Sequence, residues 1–179
     1  LNAQVDNVLQ KMPLRNIGPA AMSGRITSIA VPRSTASLNY KNTIYCGAAS
    51  GGVWKSENGG ISWKPIFDEM DVQSIGSIAI DPNNANVIYV GTGEGNPRNS
   101  HNSGKGIYKS LDAGKTWKFI GLEQTKTIHR IVINPLNPNQ IFVGAMGSIW
   151  GPNEERGVFK SENGGLTWTK VLYVNNTTG

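Results

Sequence analysis

A short phrase ending in tryptophan occurs three times in this chain of 179 residues. The copies begin at Ser56, Ser110 and Ser161, and each follows the frame Ser-x-(Asp/Asn)-x-Gly-x-(Ser/Thr)-Trp. They recur about every 50 residues, and a fixed period in that range is the signature of a repeat architecture. The chain is therefore predicted to be built from copies of one structural unit.

The phrase has the composition of a β-hairpin turn. Its Asx side chain can accept hydrogen bonds from backbone amides across a tight turn, and its glycine tolerates positive φ. The tryptophan is predicted to start the return strand and to lay its ring over the turn. Because such a turn stabilises itself, we interpret the phrase as structural rather than chemical. The residues of this structural set are Ser56, Asn58, Gly60, Trp63, Ser110, Asp112, Gly114, Trp117, Ser161, Asn163, Gly165 and Trp168.

Two short apolar runs precede each phrase and predict two more strands per repeat. They are rich in β-branched and aromatic residues and are bounded by turn formers. The runs are 28–31, 43–46, 77–80, 87–90, 130–133 and 140–143. With the strands that enter and leave the phrase, each repeat holds four antiparallel strands, which is one blade of a β-propeller. The predicted fold class is all-β; a two-sheet sandwich stays open, although it would not need the same turn three times.

The repeats predict the domain organisation. Residues 1–24 form an N-terminal segment and possible closing strand, and residues 175–179 begin another blade. Blades 1, 2 and 3 are predicted at 25–73, 74–126 and 127–174. Propellers typically need four to eight blades to close, so we expect the N-terminal part of a larger propeller. The bare blade faces predict a partner, either the remainder of the propeller or another protein.

The phrases resemble the Asp-box (BNR) motif of sialidase-type and sortilin/Vps10-type propellers, and we call them the boxes. Residues 14–26, 51–56 and 91–94 are similar to segments of large secreted bacterial proteins described as sortilin-like or BNR-repeat glycosyl hydrolase-like. The resemblance covers the chain from about residue 12 onward. It implies a propeller and an exported location: periplasmic, cell-surface or secreted.

Charge and composition argue against several other classes of function. The net charge is +5, but lysines flank each box at equivalent positions, so the charge is spread rather than gathered in one patch. We expect no nucleic-acid partner. No apolar run approaches the ~18–20 residues of a membrane helix.

No metal or cofactor is expected from the motifs. His101 and His129 lack Cys or His partners at ligand spacing. The glycines around Lys105 lack the Ser or Thr that follows the lysine of a P-loop. Cys46 takes a valine position in a buried strand, where free cysteine behaves as a small hydrophobe.

The loops between second and third strands are the predicted seat of function. They leave the blade on the face opposite the boxes, and we call this the long-loop face. These loops are long in blades 2 and 3, at 93–105 and 147–156, and short in blade 1, at 48–51. Variable loops on a fixed scaffold usually carry binding residues. We predict a glycan or peptide site there, with the candidates Arg25, Glu94, Arg98, His101, Arg130, Trp150, Glu154 and Arg156.

Two alternatives remain for these residues. In a purely structural interpretation, Glu94 and Arg98 pair to stiffen their own loop, and Trp150 packs beneath its loop. In an enzymatic interpretation, the protein is a sialidase-like or xyloglucanase-like glycoside hydrolase whose active site is shared with further blades. Glycosidases need two carboxylates, and Glu94 and Glu154 are the candidates for such a pair from neighbouring blades, at a distance that the sequence does not fix. The sialidase set of an arginine trio and a Tyr–Glu pair has no counterpart, so no catalytic residue is assigned. The leading hypothesis is a non-catalytic binding scaffold of an exported or cell-envelope protein.

Overall fold

Three antiparallel sheets of four strands each make up the described part of the chain. The structure is a computed structural model that describes residues 25–33, 40–96 and 101–178. Each sheet uses consecutive strands in sequence order. The predicted all-β class and the four-stranded blades are confirmed.

The strand bounds follow the repeat. Blade 1 contains β1 (Ile26–Ala30), β2 (Ile44–Ala48), β3 (Val53–Ser56) and β4 (Lys64–Pro65). Blade 2 contains β5 (Ile75–Asp81), β6 (Asn84–Thr92), β7 (Ile107–Ser110) and β8 (Lys118–Phe119). A short 3₁₀ helix, Glu123–Thr125, then leads to blade 3. Blade 3 contains β9 (Ile128–Ile133), β10 (Ile141–Ala145), β11 (Gly157–Ser161) and β12 (Thr169–Leu172).

The fourth strand of each blade begins one residue later than predicted. β4 starts at Lys64, directly after the tryptophan of the box. The backbone N–H of Ser62 donates to the Asn58 side chain at 2.9 Å, so this residue belongs to the turn and cannot join the strand ladder. The prediction that the tryptophan opens the return strand is therefore wrong.

The apolar core lies between neighbouring blades rather than within one sheet. At each interface, side chains from the second and third strands of one blade meet the first strand of the next. The fully buried residues that do so are Tyr45, Val53 and Ile75 at the first interface, and Tyr89, Ile107 and Ile128 at the second. Each blade is thus stabilised chiefly by its neighbour, because a single sheet has no second layer of its own.

Glycines in the second strands set how closely the blades approach. A Cβ on Gly47 would lie 2.6 Å from Cγ2 of Ile75, and one on Gly91 would lie 2.3 Å from Cγ2 of Ile128. Any larger residue would push the blades apart. At the equivalent Gly144 of blade 3, the nearest such atom is Cβ of Arg130, 3.6 Å away in the same blade. No described residue covers this face of blade 3, and the predicted partner for it stays a prediction.

Candidate binding face

The boxes repeat one hydrogen-bond network on one face of the blades. In each box the serine Oγ accepts the glycine N–H at 2.8 Å. The Asx side chain accepts the Ser or Thr backbone N–H at 2.8–2.9 Å. These polar groups form their hydrogen bonds inside their own turn. This is the arrangement expected of residues that stabilise the turn.

The box tryptophans also join successive blades. The indole N–H of Trp117 donates to the carbonyl of Ile66 in blade 1 at 2.6 Å, and that of Trp168 donates to Ile120 in blade 2 at 2.8 Å. Trp63 of blade 1 instead donates to Gly60 of its own turn at 3.1 Å. The rings lie over their turns as expected, and two of them additionally form interblade contacts that the sequence analysis missed.

Asp112 differs from the asparagines of the other two boxes by its charge. Hydrogen bonds from the side chain and backbone of Thr116 lower the pKa of Asp112 to about 2. Lys115 adds a second backbone N–H at 2.9 Å. The carboxylate is thus held ionised by its turn, since hydrogen bonds to the charged form favour that form.

On the opposite face, the blade 2 loop between β6 and β7 reaches the starts of all three inner strands. Arg25, Ser74 and Thr127 directly precede β1, β5 and β9. Each contacts a residue of this loop. We call these residues with their loop partners the inner-strand cluster, which consists of Arg25, Ser74, Glu94, His101, Asn102 and Thr127.

The strongest contact of the inner-strand cluster is a bidentate ion pair. Nε of Arg25 donates to Oε1 of Glu94 at 2.8 Å, and Nη2 donates to Oε2 at 2.5 Å. The Glu94 side chain is 0% exposed, whereas that of Arg25 is 33% exposed. The hydrogen bond to Glu94 is the main cause that raises the pKa of Arg25. This pair joins blade 1 to the blade 2 loop.

The rest of the cluster consists of hydrogen bonds. Oγ of Ser74 donates to the Asn102 carbonyl at 3.0 Å and accepts the Glu94 N–H at 3.1 Å. Oγ1 of Thr127 lies 3.4 Å from Nε2 of His101. The other ring nitrogen of His101, Nδ1, is buried with no hydrogen-bond partner among the described residues. The loop is therefore tied to blades 1, 2 and 3 at once.

The blade 3 loop is organised by a buried arginine. Nη2 of Arg156 donates to the carbonyls of Ser148 and Gly151 at 2.7 and 3.3 Å, and Asn153 donates to the same two carbonyls. Arg156 is only 9% exposed. The Arg156 guanidinium therefore stabilises the conformation of its own loop through these backbone carbonyls.

Other candidates on this face are open to solvent. Trp150 is 71% exposed, so it does not pack beneath its loop, and Glu154 is also exposed. Arg130 is exposed for another reason, because it lies beside Gly144 on the sheet face of blade 3 that no described residue covers. Arg98 lies outside the described residues. Glu94, its expected partner in the structural alternative, pairs with Arg25 instead. The part of each candidate in binding stays a prediction.

Buried and exposed groups of this face differ in how they are paired. The most buried carboxylate, Glu94, is neutralised by Arg25, whereas the Trp150 indole and the Glu154 carboxylate are exposed. The described residues contain no group of three or more His, Cys, Asp or Glu side chains placed to hold a metal ion. Among them, too, no helix is long and apolar enough to cross a membrane.

The sequence analysis missed Ser74, Thr127 and Asn102. A signal for the first two was present, because residues 25–29, 74–78 and 127–131 share the pattern x-Ile-x-x-Ile. Extending the repeat alignment by this pattern would have placed Ser74 and Thr127 at the position of Arg25. Asn102 lies in a loop without a counterpart in the other blades, so no repeat could reveal it.

Comparison with known proteins agrees with the propeller architecture. The family model described as Sortilin, neurotensin receptor 3 (Sortilin-Vps10) matches residues 51–172. The xyloglucanase Xgh74A of Acetivibrio thermocellus is 29% identical over 86% of this chain and 20% of its own length. A xyloglucanase of Hypocrea jecorina is 27% identical over 73% of this chain and 16% of its own length. The chain thus spans about a fifth or less of these relatives.

Solved structures show the same arrangement of blades. An ancestral GH74 enzyme superposes with a TM-score of 0.66 at 26% identity, covering 87% of this chain and 19% of that one. YCF48 from Cyanidioschyzon merolae superposes with a TM-score of 0.57 at 16% identity, covering 88% and 40%. The second likeness concerns the fold alone. Together with the family match, these structures identify the three sheets as blades of a β-propeller of the Vps10/BNR type.

Proposed function

Because this chain belongs to the Sortilin-Vps10 family, we propose that it is part of a β-propeller that binds a glycan or a peptide on its long-loop face. In this proposal the chain supplies no catalytic group. The observation that carries the proposal is the buried, bidentate pairing of Glu94 with Arg25.

A general acid or base must come within hydrogen-bond reach of the substrate, about 2.6–3.2 Å. The Glu94 side chain is 0% exposed and both of its oxygens face the Arg25 guanidinium. A carboxylate in such a pair is stabilised in its ionised form and hidden from a substrate. Glu94 and the buried Arg156 therefore hold the loops, and the exposed side chains do the binding.

The exposed side chains suit a polar ligand with apolar faces. The Trp150 indole offers a flat apolar surface with a polar N–H, the combination that makes tryptophan frequent at binding interfaces. Glu154 adds an exposed carboxylate that accepts hydrogen bonds. Sugar rings and peptide side chains both match this set.

A second candidate function is hydrolysis of a glycan related to xyloglucan. It is favoured by the identity to the two xyloglucanases. It requires a catalytic carboxylate from parts of the protein beyond these blades, acting with Glu154, the exposed carboxylate of the blade 3 loop.

We also propose that the protein is exported to the periplasm, cell surface or medium, because a polymeric glycan is too large to cross a membrane unaided. Cell fractionation with an antibody against the protein tests this, and a protein confined to the cytoplasm would contradict it.

The binding proposal is tested by calorimetric titration of the intact protein with xyloglucan oligosaccharides, alongside a reducing-sugar assay on polymeric xyloglucan. Trp150→Ala is compared with Leu166→Ala, which removes another exposed apolar side chain from a box. We expect binding without turnover, weakened by Trp150→Ala and unchanged by Leu166→Ala.

Turnover that disappears in Glu154→Gln, while Glu162→Gln of the third box keeps it, would replace the binding proposal by the hydrolase. Equal binding by Trp150→Ala and Leu166→Ala would contradict the long-loop face as the glycan site.

A further inference from the structure

A cleft of about 440 Å³ opens on the long-loop face, at the outer strands of blade 2. It lies where the connection from β4 to β5 passes the outer strand of blade 2. Its charged and aromatic lining residues are Glu69, Asp71, Lys105, Tyr108, Phe119 and Glu123. The cleft contains none of the residues proposed above for glycan binding.

The charges in the cleft do not balance. Nζ of Lys105 lies 2.9 Å from Oδ2 of Asp71 and so compensates one carboxylate. Within the described ranges, no ion pair or hydrogen bond engages the side chains of Glu69 and Glu123. The cleft therefore presents a net negative charge to any ligand.

Tyr108 adds a polar group that has no partner. It is 6% exposed, and its hydroxyl forms no hydrogen bond with any residue that the structure describes. Burial, followed by the charge of Asp71, raises the pKa of Tyr108, so the phenol stays neutral. The buried polar atoms without a partner do not include this hydroxyl, so it opens into the cleft, where it can form a hydrogen bond with solvent or a ligand.

Blade 1 pairs Trp54 with Pro65 at the corresponding position, and blade 3 fills it with a lysine. Phe159 and Lys170 are paired there in the same register as Tyr108 and Phe119 in blade 2. Nζ of Lys170 lies 5.5 Å from the Phe159 ring centroid, within the range of a cation–π contact. In blade 3 the chain therefore covers this aromatic residue with its own ammonium group.

In blade 2 that ammonium group is replaced by an aromatic ring. Phe119 stands at the position of Lys170, is 43% exposed, and meets Tyr108 edge to face with ring centroids 5.5 Å apart. The aromatic pair and the carboxylates together form the kind of surface that attracts an external cation.

We propose that this cleft binds the guanidinium or ammonium group of an arginine or lysine side chain from a peptide partner. Glu69 and Glu123 neutralise the cation, Phe119 contacts its face, and the Tyr108 hydroxyl accepts one hydrogen bond. The inference rests on the proposed binding role of the long-loop face and names one ligand class for it.

The probe is the blocked peptide acetyl-Gly-Arg-Gly-Arg-Gly-amide, titrated at low ionic strength into the intact protein. The comparison peptide carries glutamine in place of arginine. We expect the arginine peptide to bind and the glutamine peptide not to bind. Glu69→Gln combined with Glu123→Gln raises the dissociation constant about five- to tenfold, since both residues are exposed and two exposed ion pairs together contribute about this much at low ionic strength. Glu57→Gln combined with Glu162→Gln removes the same amount of charge from the boxes and leaves the dissociation constant of the arginine peptide unchanged.

Phe119→Lys is the sharper variant, because it copies blade 3 and places an ammonium group of the chain itself over Tyr108. We expect this variant to fold and to lose arginine-peptide binding, while xyloglucan binding through Trp150 is unaffected. Unchanged peptide binding in Phe119→Lys, or equal binding of the two peptides, would overturn the inference. So would a loss of oligosaccharide binding instead of peptide binding in the carboxylate variants, since the cleft would then be a sugar subsite.

Discussion

On the box face each described blade repeats the same serine and Asx hydrogen bonds to the backbone, whereas on the long-loop face no two blades share a loop. The serine-to-glycine hydrogen bond measures 2.8 Å in every box. The loops opposite run over 49–52, 93–106 and 146–156 and are held by different groups. The box contacts are thus repeated with the blades, whereas the opposite loops differ from blade to blade, and the proposed function is assigned to the part that differs.

The largest expected effect breaks a box contact between blades. Trp117→Ala removes a ring that packs on Phe67, with centroids 5.2 Å apart, and a hydrogen bond to blade 1. We expect a loss of about 3–5 kcal/mol in the free energy of unfolding, measured by urea denaturation. Trp63→Ala, which loses a bond only within its own turn, should cost about 1–2 kcal/mol. Equal losses would show that the contact between blades is not what makes Trp117 important.

On the long-loop face, the largest effect is expected at Glu94. Glu94→Ala removes a buried carboxylate with two charge-assisted hydrogen bonds to Arg25, and we expect a loss of about 2–4 kcal/mol. Glu154→Ala removes an exposed carboxylate and should change stability by less than about 0.5 kcal/mol. Chemical denaturation of both variants makes this comparison.

A double variant separates the charge of this pair from its packing. Replacing Arg25 and Glu94 together by methionine should recover most of the loss, because an apolar pair can substitute for a buried ion pair. No recovery would mean that the ion pair itself is needed to hold the blade 2 loop.

A smaller effect is expected from the charge of Asp112. Its pKa is lowered to about 2 in the folded protein, against about 3.9 in an unfolded chain. A lowered pKa means that the stabilisation is complete above pH 3.9 and is lost as the pH falls through about 2. Allowing for solvent screening, it amounts to about 1 kcal/mol.

Asp112→Asn, which copies the boxes of blades 1 and 3, isolates this contribution. Thermal unfolding should show a stability difference from the wild type at pH 5 that vanishes near pH 2, and Asn163→Asp should introduce the same dependence into blade 3. A difference that does not vary with pH would contradict the assignment.

The smallest effect on stability is expected at Trp150. Because its side chain is 71% exposed, Trp150→Ala should change the free energy of unfolding by less than about 0.5 kcal/mol. Ligand binding should weaken in the same protein. A large loss of stability would instead assign Trp150 to the packing of its loop.

Within each repeat, the sequence predicted the turn correctly but not the start of the fourth strand or the contacts between blades. The box turns followed from the residues alone, because Asn58, Gly60 and Ser62 interact within five positions of one another. The predicted start of the fourth strand was wrong by one residue. A pattern of apolar residues does not show that the Ser62 N–H is donated to the Asn58 side chain in the turn. The interblade hydrogen bond of Trp117 was missed because its acceptor lies 51 residues away.

The candidate site was predictable as a face but not as a set of contacts. Loop length and the order of the strands indicated the side on which the variable residues lie. The partner of Glu94 was expected four positions along the chain, at Arg98, yet the structure pairs it with Arg25, 69 residues away. The lining of the cleft was not anticipated, because Glu69 lies in the connection from β4 to β5, about 50 residues before Phe119 and Glu123.

By itself, the sequence determined the repeat, the turn in each repeat and the all-β class, since these depend on interactions between residues close in the chain. Only the tertiary structure decided that Glu94 is neutralised by Arg25. It also decided that the carboxylates of Glu69 and Glu123 form no ion pair with any described residue and that the Phe119 ring is exposed. Those outcomes depend on the packing of one blade against the next. Packing brings together side chains whose separation along the chain carries no information about their distance in space.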